Sequence, residues 1–151
     1  MIEIKNLKKS FGPKDVLNGV NLKIDDGMTT VIIGASGCGK SVLLKHVVGL
    51  LKPDEGSILI DGEDITRMTE KQVYAIRKKF GFLFQSSALF DSMTVGENVG
   101  IALRENTNTP KAEIDKIVSV KLGLVNLPGT ESLMPSELSG GMKKRVGLAR
   151  A

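Results

Sequence analysis

One glycine-rich segment, residues 34–41, limits the possible folds of this chain more than any other feature. It fits the pattern G-x-x-x-x-G-K-[ST], with a β-rich apolar run before it (29–33) and apolar residues at helical spacing after it (43–51). In this context successive backbone N–H groups can curl around phosphate oxygens, and the following helix points its positive end at the same anion. The segment therefore predicts a phosphate-binding loop between a buried strand and a helix.

The residue types inside the loop suit separate parts of a phosphate site. Lys40 can reach the β- and γ-phosphates of a nucleotide, and the Ser41 hydroxyl can ligate Mg²⁺. Cys38 is interpreted as a small loop residue rather than a nucleophile, because the nearest candidate base, His46, lies further along the helix. The predicted nucleotide-binding residues of this segment are Gly34, Ser36, Gly37, Cys38, Gly39, Lys40, Ser41 and Val42.

Composition excludes several other classes of protein. The chain has 151 residues, 41% of them apolar and 25% charged, which is typical of a globular domain with a real core. No apolar run approaches the roughly 18 residues of a membrane span, and the N-terminus resembles no signal peptide, so direct membrane insertion is not expected. With a single cysteine and a single histidine, the chain can be neither a disulfide scaffold nor a zinc module. The net charge of +4 favours anionic partners only weakly.

The pattern along the chain predicts three segments. Residues 1–84 form a mixed α/β part with two early antiparallel strands, a turn at Asp61-Gly62, a helix over 70–79 and a buried strand over 80–84. Residues 85–135 form a mainly helical insert, with helices over 95–105 and 111–125. Residues 136–151 contain the start of a final helix near Ser139.

A second glycine motif, residues 138–141, begins this final helix. Ser139 is a good N-cap, and Gly140 and Gly141 allow a ligand to approach the backbone closely. Three cations, at 143–145, then crowd the first turn, where they oppose the helix dipole. A solvated basic face and a bound anion both explain this pattern, and the local residues leave the two open.

The motifs taken together resemble the nucleotide-binding domain of ABC transporters. The phosphate loop corresponds to Walker A, Gln85 to the Q-loop, and residues 138–141 to the signature motif, in the family's order. The resemblance implies an α/β fold of the P-loop NTPase class, with an N-terminal antiparallel β portion and a helical insert. It also places Phe11 where the family stacks an aromatic ring on adenine, although a core phenylalanine is the competing interpretation.

The resemblance further implies cofactors and partners. ATP and Mg²⁺ would bind, with Lys40 and Gln85 as catalytic residues and with Ser41 and Gln85 at the metal. Ser139, Gly140 and Gly141 would bind ATP held by a second nucleotide-binding subunit, in a head-to-tail dimer. A transmembrane permease would be the other partner, and the chain would lie in the cytoplasm against the inner face of the cell membrane, with no nucleic acid bound.

A narrower resemblance points to one subgroup. Residues 82–95, and 136–142 with Met142 in the signature, are similar to the Mce-type ATPases that move phospholipids. Within the first stretch, Ala88, Leu89, Phe90 and Met93 either line a groove for the permease or belong to the core of the helical insert. The sequence leaves these two interpretations open.

The chain also departs from the family pattern. We find no apolar strand ending in Asp-Glu (Walker B), no D-loop and no switch histidine, so we expect a C-terminally truncated domain that does not hydrolyse ATP alone. We also expect the run that contains Val31, Ile32 and Ile33 to lie on an open edge. Asp61 follows the apolar residues 58–60, but Gly62 comes next, so Asp61 is interpreted as a turn residue.

Three functions follow from these observations. The first is an energy-coupling ATPase subunit of a transporter, and the second is a nucleotide-binding fragment without turnover. The third is a soluble ABC protein that acts on nucleic acid or ribosomes, although the sequence has no tandem domain or long coiled coil. A GTPase is excluded because no Asn-Lys-x-Asp motif is present.

Overall fold

The computed structural model describes residues 1–151 and contains two compact units, Met1–Lys79 and Phe80–Ala151. The first unit contains all the strands, and the second contains three of the five α-helices. The three segments expected from the sequence, with boundaries after residues 84 and 135, remain a prediction.

A four-stranded antiparallel sheet forms the framework of the first unit. Its strands are β1 (Ile2–Phe11), β2 (Lys14–Ile24), β3 (Glu55–Ile60) and β4 (Glu63–Asp64), in the order β2-β1-β3-β4. Ile4 and Leu7 are both buried although they are an odd number of residues apart, because the register shifts between them. Such a bulge inserts an extra residue and returns the next apolar side chain to the core face.

The turns of this sheet agree with the sequence prediction. Phe11 pairs with Lys14 across the first hairpin, and Ile60 pairs with Glu63 across the second. Asp61 and Gly62 therefore form the two-residue connection between β3 and β4, as their sequence predicts. Residues 58–61 are thus the end of an antiparallel strand and its turn.

Two helices complete the first unit, α1 (Lys40–Val47) and α2 (Glu70–Arg77), with a 3₁₀ turn at Ile65–Arg67 before α2. Arg77 links them, since its Nε donates to the Val48 carbonyl at 3.2 Å and its Nη2 donates to the Gly49 carbonyl at 2.6 Å. These carbonyls lie just beyond the end of α1, where the helix can no longer supply N–H partners. The guanidinium of Arg77 therefore caps the C-terminus of α1.

Replacing Arg77 by methionine tests this cap. The variant keeps the aliphatic stem but leaves two partly buried carbonyls without their charged donor, so we expect the first unit to lose about 2 kcal/mol of stability. Urea denaturation followed by circular dichroism measures the loss. Arg67→Met is the matched control, because Arg67 is 87% exposed and pairs only at the surface with Asp64, and it should change stability by less than about 0.5 kcal/mol. Equal losses in the two variants would contradict the cap.

The second unit packs three helices around one core. They are α3 (Val95–Asn106), α4 (Lys111–Leu124) and α5 (Gly140–Arg150), with a 3₁₀ turn at Pro135–Glu137. The predicted helices over 95–105 and 111–125 and the helix beginning near Ser139 are thus present. The buried core consists of Val95, Val99, Ile114, Val118, Leu122, Leu127, Leu138, Val146 and Ala149. None of the chain's helices has both the length and the apolar character that a membrane span requires.

A buried asparagine organises the start of this unit. Asn98 is completely buried, and its Oδ1 accepts from the Phe90 N–H at 2.7 Å. Its Nδ2 donates to the carbonyls of Phe90, Met93 and Thr94 at 2.9–3.0 Å. The side chain thereby fixes the segment that leads into α3. It pairs the Phe90 N–H and the Met93 carbonyl, and it adds a second donor to the carbonyls of Phe90 and Thr94, which also accept from backbone N–H groups.

Two predicted strands are not strands in the structure. Residues 29–33 and 80–84 have no strand pairing, and Val31 and Ile33 are 73% and 90% exposed. In the second run Leu83 is 46% exposed. An apolar sequence rich in β-branched residues favours burial, but a strand also needs a neighbouring backbone to hydrogen-bond with. Within residues 1–151, neither run has such a neighbour. The expected exposure of Val31 and Ile33 on an open edge agrees with the structure.

Candidate nucleotide-binding site

The lysine of the glycine-rich loop points back into the loop. The Nζ of Lys40 donates to the carbonyls of Gly34 and Ala35, each at 2.8 Å, and lies 3.6 Å from the Sγ of Cys38. The whole arrangement is exposed to solvent. A cation is therefore held over the centre of the loop, at the position where an anion entering the loop would meet it.

The loop geometry depends on Gly39, the N-cap residue of α1. Its φ of +99° lies in the left-handed region, and a Cβ added there would lie 2.9 Å from the Val16 carbonyl oxygen and 3.1 Å from Leu17 Cδ2. Only glycine fits this position, because both the backbone conformation and the contact with β2 exclude a side chain. Gly39 therefore fixes where α1 begins against the sheet.

The start of α1 suits an anion. No side chain caps the helix and no acidic residue occupies its first turn. The first N–H groups of a helix have no intrahelical acceptor, and the helix dipole makes this end positive. With Lys40 at 2.8 Å from two loop carbonyls and Ser41 exposed beside it, the loop has the donors and charge that a phosphate group with its Mg²⁺ requires.

Phe11 lies at the end of β1 in the same unit. Its side chain is 48% exposed, and the Nζ of Lys9 lies 5.6 Å from the ring centroid. The competing interpretation, a phenylalanine packed in the core, does not agree with this exposure. An exposed aromatic ring can stack on a planar base.

In the second unit, the predicted signature residues lie at the beginning of α5. Leu138 is buried, whereas Ser139, Gly140 and Gly141 are exposed. The Oγ of Ser139 accepts from the Met142 N–H at 3.3 Å, which confirms the predicted N-cap. A Cβ at either glycine would meet no atom within 4 Å, so the fold of this chain does not itself require glycine at these two positions.

Gln85 is an exposed residue of a tight turn. The Ser87 N–H donates to the Phe84 carbonyl at 2.9 Å, and Gln85 and Ser86 occupy the two central positions. Ser87 and Ala88 follow with φ values of +63° and +45°, which are unusual for residues that carry a side chain. Gln85 is thus presented on a sharply bent segment.

Comparison with known proteins decides the family. A family model described as ABC transporter matches residues 17–151. The chain belongs to the ABC transporter family. Among its relatives, the "Probable ribonucleotide transport ATP-binding protein mkl" of Mycobacterium leprae (strain TN) is 52% identical over 150 residues, which are 99% of this chain and 43% of that protein. The "Intermembrane phospholipid transport system ATP-binding protein MlaF" of Haemophilus influenzae is 46% identical over 151 residues, all of this chain and 57% of that protein.

Solved ABC structures confirm the fold class. The dimeric post-hydrolysis structure of the ATP-binding cassette MJ0796 bound to ADP and Pi superposes with a TM-score of 0.93 at 33% sequence identity. The superposition covers 99% of this chain and 68% of that cassette. The chain itself spans about half the length of the curated ABC relatives named above.

In this ABC chain, His46 on α1 and Asp61 in the turn between β3 and β4 have structural roles. His46 is fully buried, with its Nδ1 2.7 Å from the Val42 carbonyl oxygen, and a cavity of about 20 Å³ that it lines has room for one water molecule. Asp61 accepts from the N-terminal amine at 2.8 Å and from Lys79 at 3.2 Å, and these hydrogen bonds lower the pKa of its carboxyl. Asp61 is therefore an ion-paired turn residue at the surface.

Sequence reasoning missed two arginines of the second unit. Arg145 donates to the carbonyls of Val125 and Asn126, both at 2.9 Å, and so caps the end of α4. Arg150 donates to the carbonyls of Ser87 and Ala88 at 2.5 and 2.6 Å, and burial lowers the pKa of its guanidinium. From the sequence, Arg145 is one of three cations that form either a solvated basic face or an anion site. The sequence shows a charge but not the backbone carbonyls that it will meet.

Proposed function

We propose that this chain is the ATP-binding part of an energy-coupling subunit of a membrane transporter. The observation that supports this function most directly is the loop around Lys40, whose Nζ lies 2.8 Å from two loop carbonyls at the uncapped start of α1. A triphosphate would replace these carbonyls as the partner of the Lys40 ammonium, because a charged acceptor makes the stronger hydrogen bond.

Each predicted site residue has a part in this proposal. Gly34, Ser36, Gly37, Cys38, Gly39 and Val42 would surround the phosphates, and Ser41 would hold the metal with Gln85. Phe11 would stack on the base. Mg²⁺, when bound, would neutralise the phosphate charge that Lys40 also faces.

We further propose that the signature residues act on a second copy of the domain. Ser139, Gly140 and Gly141 lie in open space at the start of α5, and nothing in the chain itself explains the two glycines. A ligand held by a partner subunit, in a head-to-tail dimer, would explain them. The cassette MJ0796, which is dimeric and was bound to ADP and Pi, supports this arrangement, and a permease subunit at the inner face of the membrane would complete the transporter.

Residues 1–151 alone are proposed to bind Mg-ATP without turning it over. Hydrolysis needs a carboxylate that polarises the attacking water, and Asp61, which directly follows the apolar residues 58–60, is committed to ion pairs with the N-terminal amine and Lys79. The complete subunit would supply this group from residues beyond those described here.

Lys40→Ala tests the proposal. Calorimetric titration with Mg-ATP should show binding to the wild-type chain and a loss of at least tenfold in affinity in Lys40→Ala, because a charge-assisted hydrogen bond contributes about 1.5–3 kcal/mol. Phosphate release should stay at background in both. Lys45→Ala is the matched control, since Lys45 lies on the same helix outside the loop, and it should bind as the wild type does.

Two results would overturn parts of this proposal. Equal affinities of Lys40→Ala and wild type would remove the loop as the nucleotide site. Phosphate release that disappears in Asp61→Asn would show that Asp61 supplies the catalytic carboxylate and that its assignment to the turn is incomplete.

We propose phospholipid as the cargo of the complete transporter. The similarity of residues 82–95 and 136–142 to Mce-type ATPases supports this, as does the name of the Haemophilus influenzae relative, whereas the mycobacterial relative is named for ribonucleotide transport. A chimera in which residues 1–151 replace the matching part of that MlaF should retain phospholipid transport. Loss of transport by a chimera that folds and still hydrolyses ATP would contradict the proposed cargo.

A further inference from the structure

We propose that Arg150 is a positioning residue for Gln85, which it holds in place by fixing the following segment to the end of α5. This inference rests on the proposed function, because it takes Gln85 as the residue that approaches the nucleotide-bound metal. It assigns a role to an arginine outside the predicted site residues.

The contact between Arg150 and the Gln85 segment is made by two hydrogen bonds. The Nη2 of Arg150 donates to the Ser87 carbonyl at 2.5 Å, and its Nη1 donates to the Ala88 carbonyl at 2.6 Å. A guanidinium presents its donors in a rigid fork, so two such bonds define both the position and the orientation of the backbone that accepts them. The accepting carbonyls lie two and three residues after Gln85.

The segment is bent in a way that needs external support. Ser87 and Ala88 both have positive φ, at +63° and +45°, which costs each residue about 1 kcal/mol relative to ordinary backbone. Ser87 is 2% exposed and rests on Gly147 of α5, where an added Cβ would lie 2.9 Å from Ser87 Cβ. A strained conformation persists only where its surroundings impose it, and here α5 supplies both the arginine and the close packing.

The helix that supplies this support begins at the signature residues. α5 runs from Gly140 to Arg150, a length of about 16 Å, with Ser139 as its N-cap. One rigid element thus has the residues proposed to bind the partner subunit's ATP at its first turn and the anchor of the Gln85 segment at its last. A tilt of α5 would move the carbonyls of Ser87 and Ala88, and through them the turn that carries Gln85.

Arg150→Met removes the anchor and keeps the aliphatic stem. Arg145→Met is the matched control, because Arg145 also lies on α5 and also donates to two backbone carbonyls, those of Val125 and Asn126. Both variants lose the same chemistry from the same helix, but only one of them loses contact with the Gln85 segment. Gly147→Ala is a second test variant, since the added methyl group would push Ser87 away without changing Arg150.

The first readout is amide hydrogen exchange in the 151-residue chain. The Ser87 N–H, bonded to the Phe84 carbonyl at 2.9 Å, should exchange at least about tenfold faster in Arg150→Met than in the wild type or in Arg145→Met. This measurement needs no nucleotide. Unchanged exchange in a folded Arg150→Met would overturn the anchor.

The second readout is the ratio of ATP affinity in Mg²⁺ to ATP affinity in EDTA, measured by calorimetry. We expect Arg150→Met to reduce this ratio about tenfold, as loss of an outer-shell partner of a metal ligand commonly does, with affinity in EDTA unchanged. Gln85→Ala should reduce the ratio similarly, and the double variant should show no further loss. Arg150→Lys, which keeps a cationic donor, should recover part of the ratio. Arg145→Met should leave it unchanged.

The outcomes separate this inference from the proposed function. A wild-type chain that binds no ATP, or a Gln85→Ala variant with an unchanged ratio, contradicts the function proposed for the site. A normal Gln85→Ala effect with an unchanged ratio in Arg150→Met, or with additive losses in the double variant, contradicts the positioning role alone. If Arg150→Met does not fold, Gly147→Ala and Arg150→Lys decide the question by the same two readouts.

Discussion

Gly56→Ala is expected to destabilise the first unit by about 3–5 kcal/mol, which is enough to unfold a marginally stable sheet. Gly56 lies in β3 with φ of +90°, opposite the register shift of β1. A Cβ at this position would lie 2.4 Å from the Asn6 carbonyl oxygen and 2.5 Å from that of Lys5. Both are backbone atoms of the neighbouring strand, so no side chain can rotate away, and β1 and β3 would have to separate.

A second glycine, Gly19, serves as a control that distinguishes the steric clash of an added Cβ from the strain of a left-handed backbone. Gly19 lies in β2 with φ of +73°, but an added Cβ there would meet nothing within 4 Å. Gly19→Ala should therefore cost only the left-handed backbone strain, about 1 kcal/mol. Urea denaturation followed by circular dichroism compares the two variants. If their midpoints shift by the same amount, the close approach of β3 to β1 is not what requires Gly56.

The local elements of this fold could be predicted from the sequence because their causes lie close together in the chain. The N-cap of Ser139, the turn at Asp61-Gly62 and the helix after the glycine-rich loop each depend on residues within a few positions of one another. The phosphate loop belongs to the same class, since its glycines, lysine and serine are contiguous. The roles of its residues in binding ATP remain predictions.

Elements that depend on distant partners could not be predicted in the same way. Residues 29–33 and 80–84 have the composition of buried strands, yet no neighbouring backbone pairs with them. The sequence gives the side chains' preference for burial and does not give the hydrogen-bonding neighbour. The same limit explains why both strand predictions were wrong while the exposure of Val31 and Ile33 was expected.

The arginines show this limit most clearly. Arg77, Arg145 and Arg150 all donate to backbone carbonyls that lie between 19 and 63 residues away in the chain. A charged residue on a helix is usually interpreted as a solvated face or as an anion site. Here the acceptors are carbonyls at helix ends and in a strained turn. Every residue has a backbone carbonyl, so the sequence does not show which carbonyls will accept from an arginine.

Asn98→Leu is expected to destabilise the second unit by about 3–4 kcal/mol. The fully buried Asn98 side chain bonds one N–H and three carbonyls, contributed by Phe90, Met93 and Thr94. Leucine has nearly the same size but neither donates nor accepts, so the Phe90 N–H and the Met93 carbonyl would lose this buried partner. The carbonyls of Phe90 and Thr94 would keep only their bonds from the N–H groups of Met93 and Asn98. Each such group costs about 1–3 kcal/mol unless it can rearrange to reach water.

The expected rearrangement makes the effect local as well as global. Residues 90–94, which precede α3, would move away from it so that water can reach their backbone. The rate of amide hydrogen exchange in this segment should therefore increase, together with a loss of stability in urea. Asn106→Leu is the matched control, because Asn106 lies exposed at the other end of α3 and bonds the Ala102 carbonyl at 3.0 Å, four residues back, as Asn98 bonds that of Thr94. This control should change stability by less than about 0.5 kcal/mol. A small effect of Asn98→Leu would mean that the core of α3, α4 and α5 fixes residues 90–94 without the asparagine.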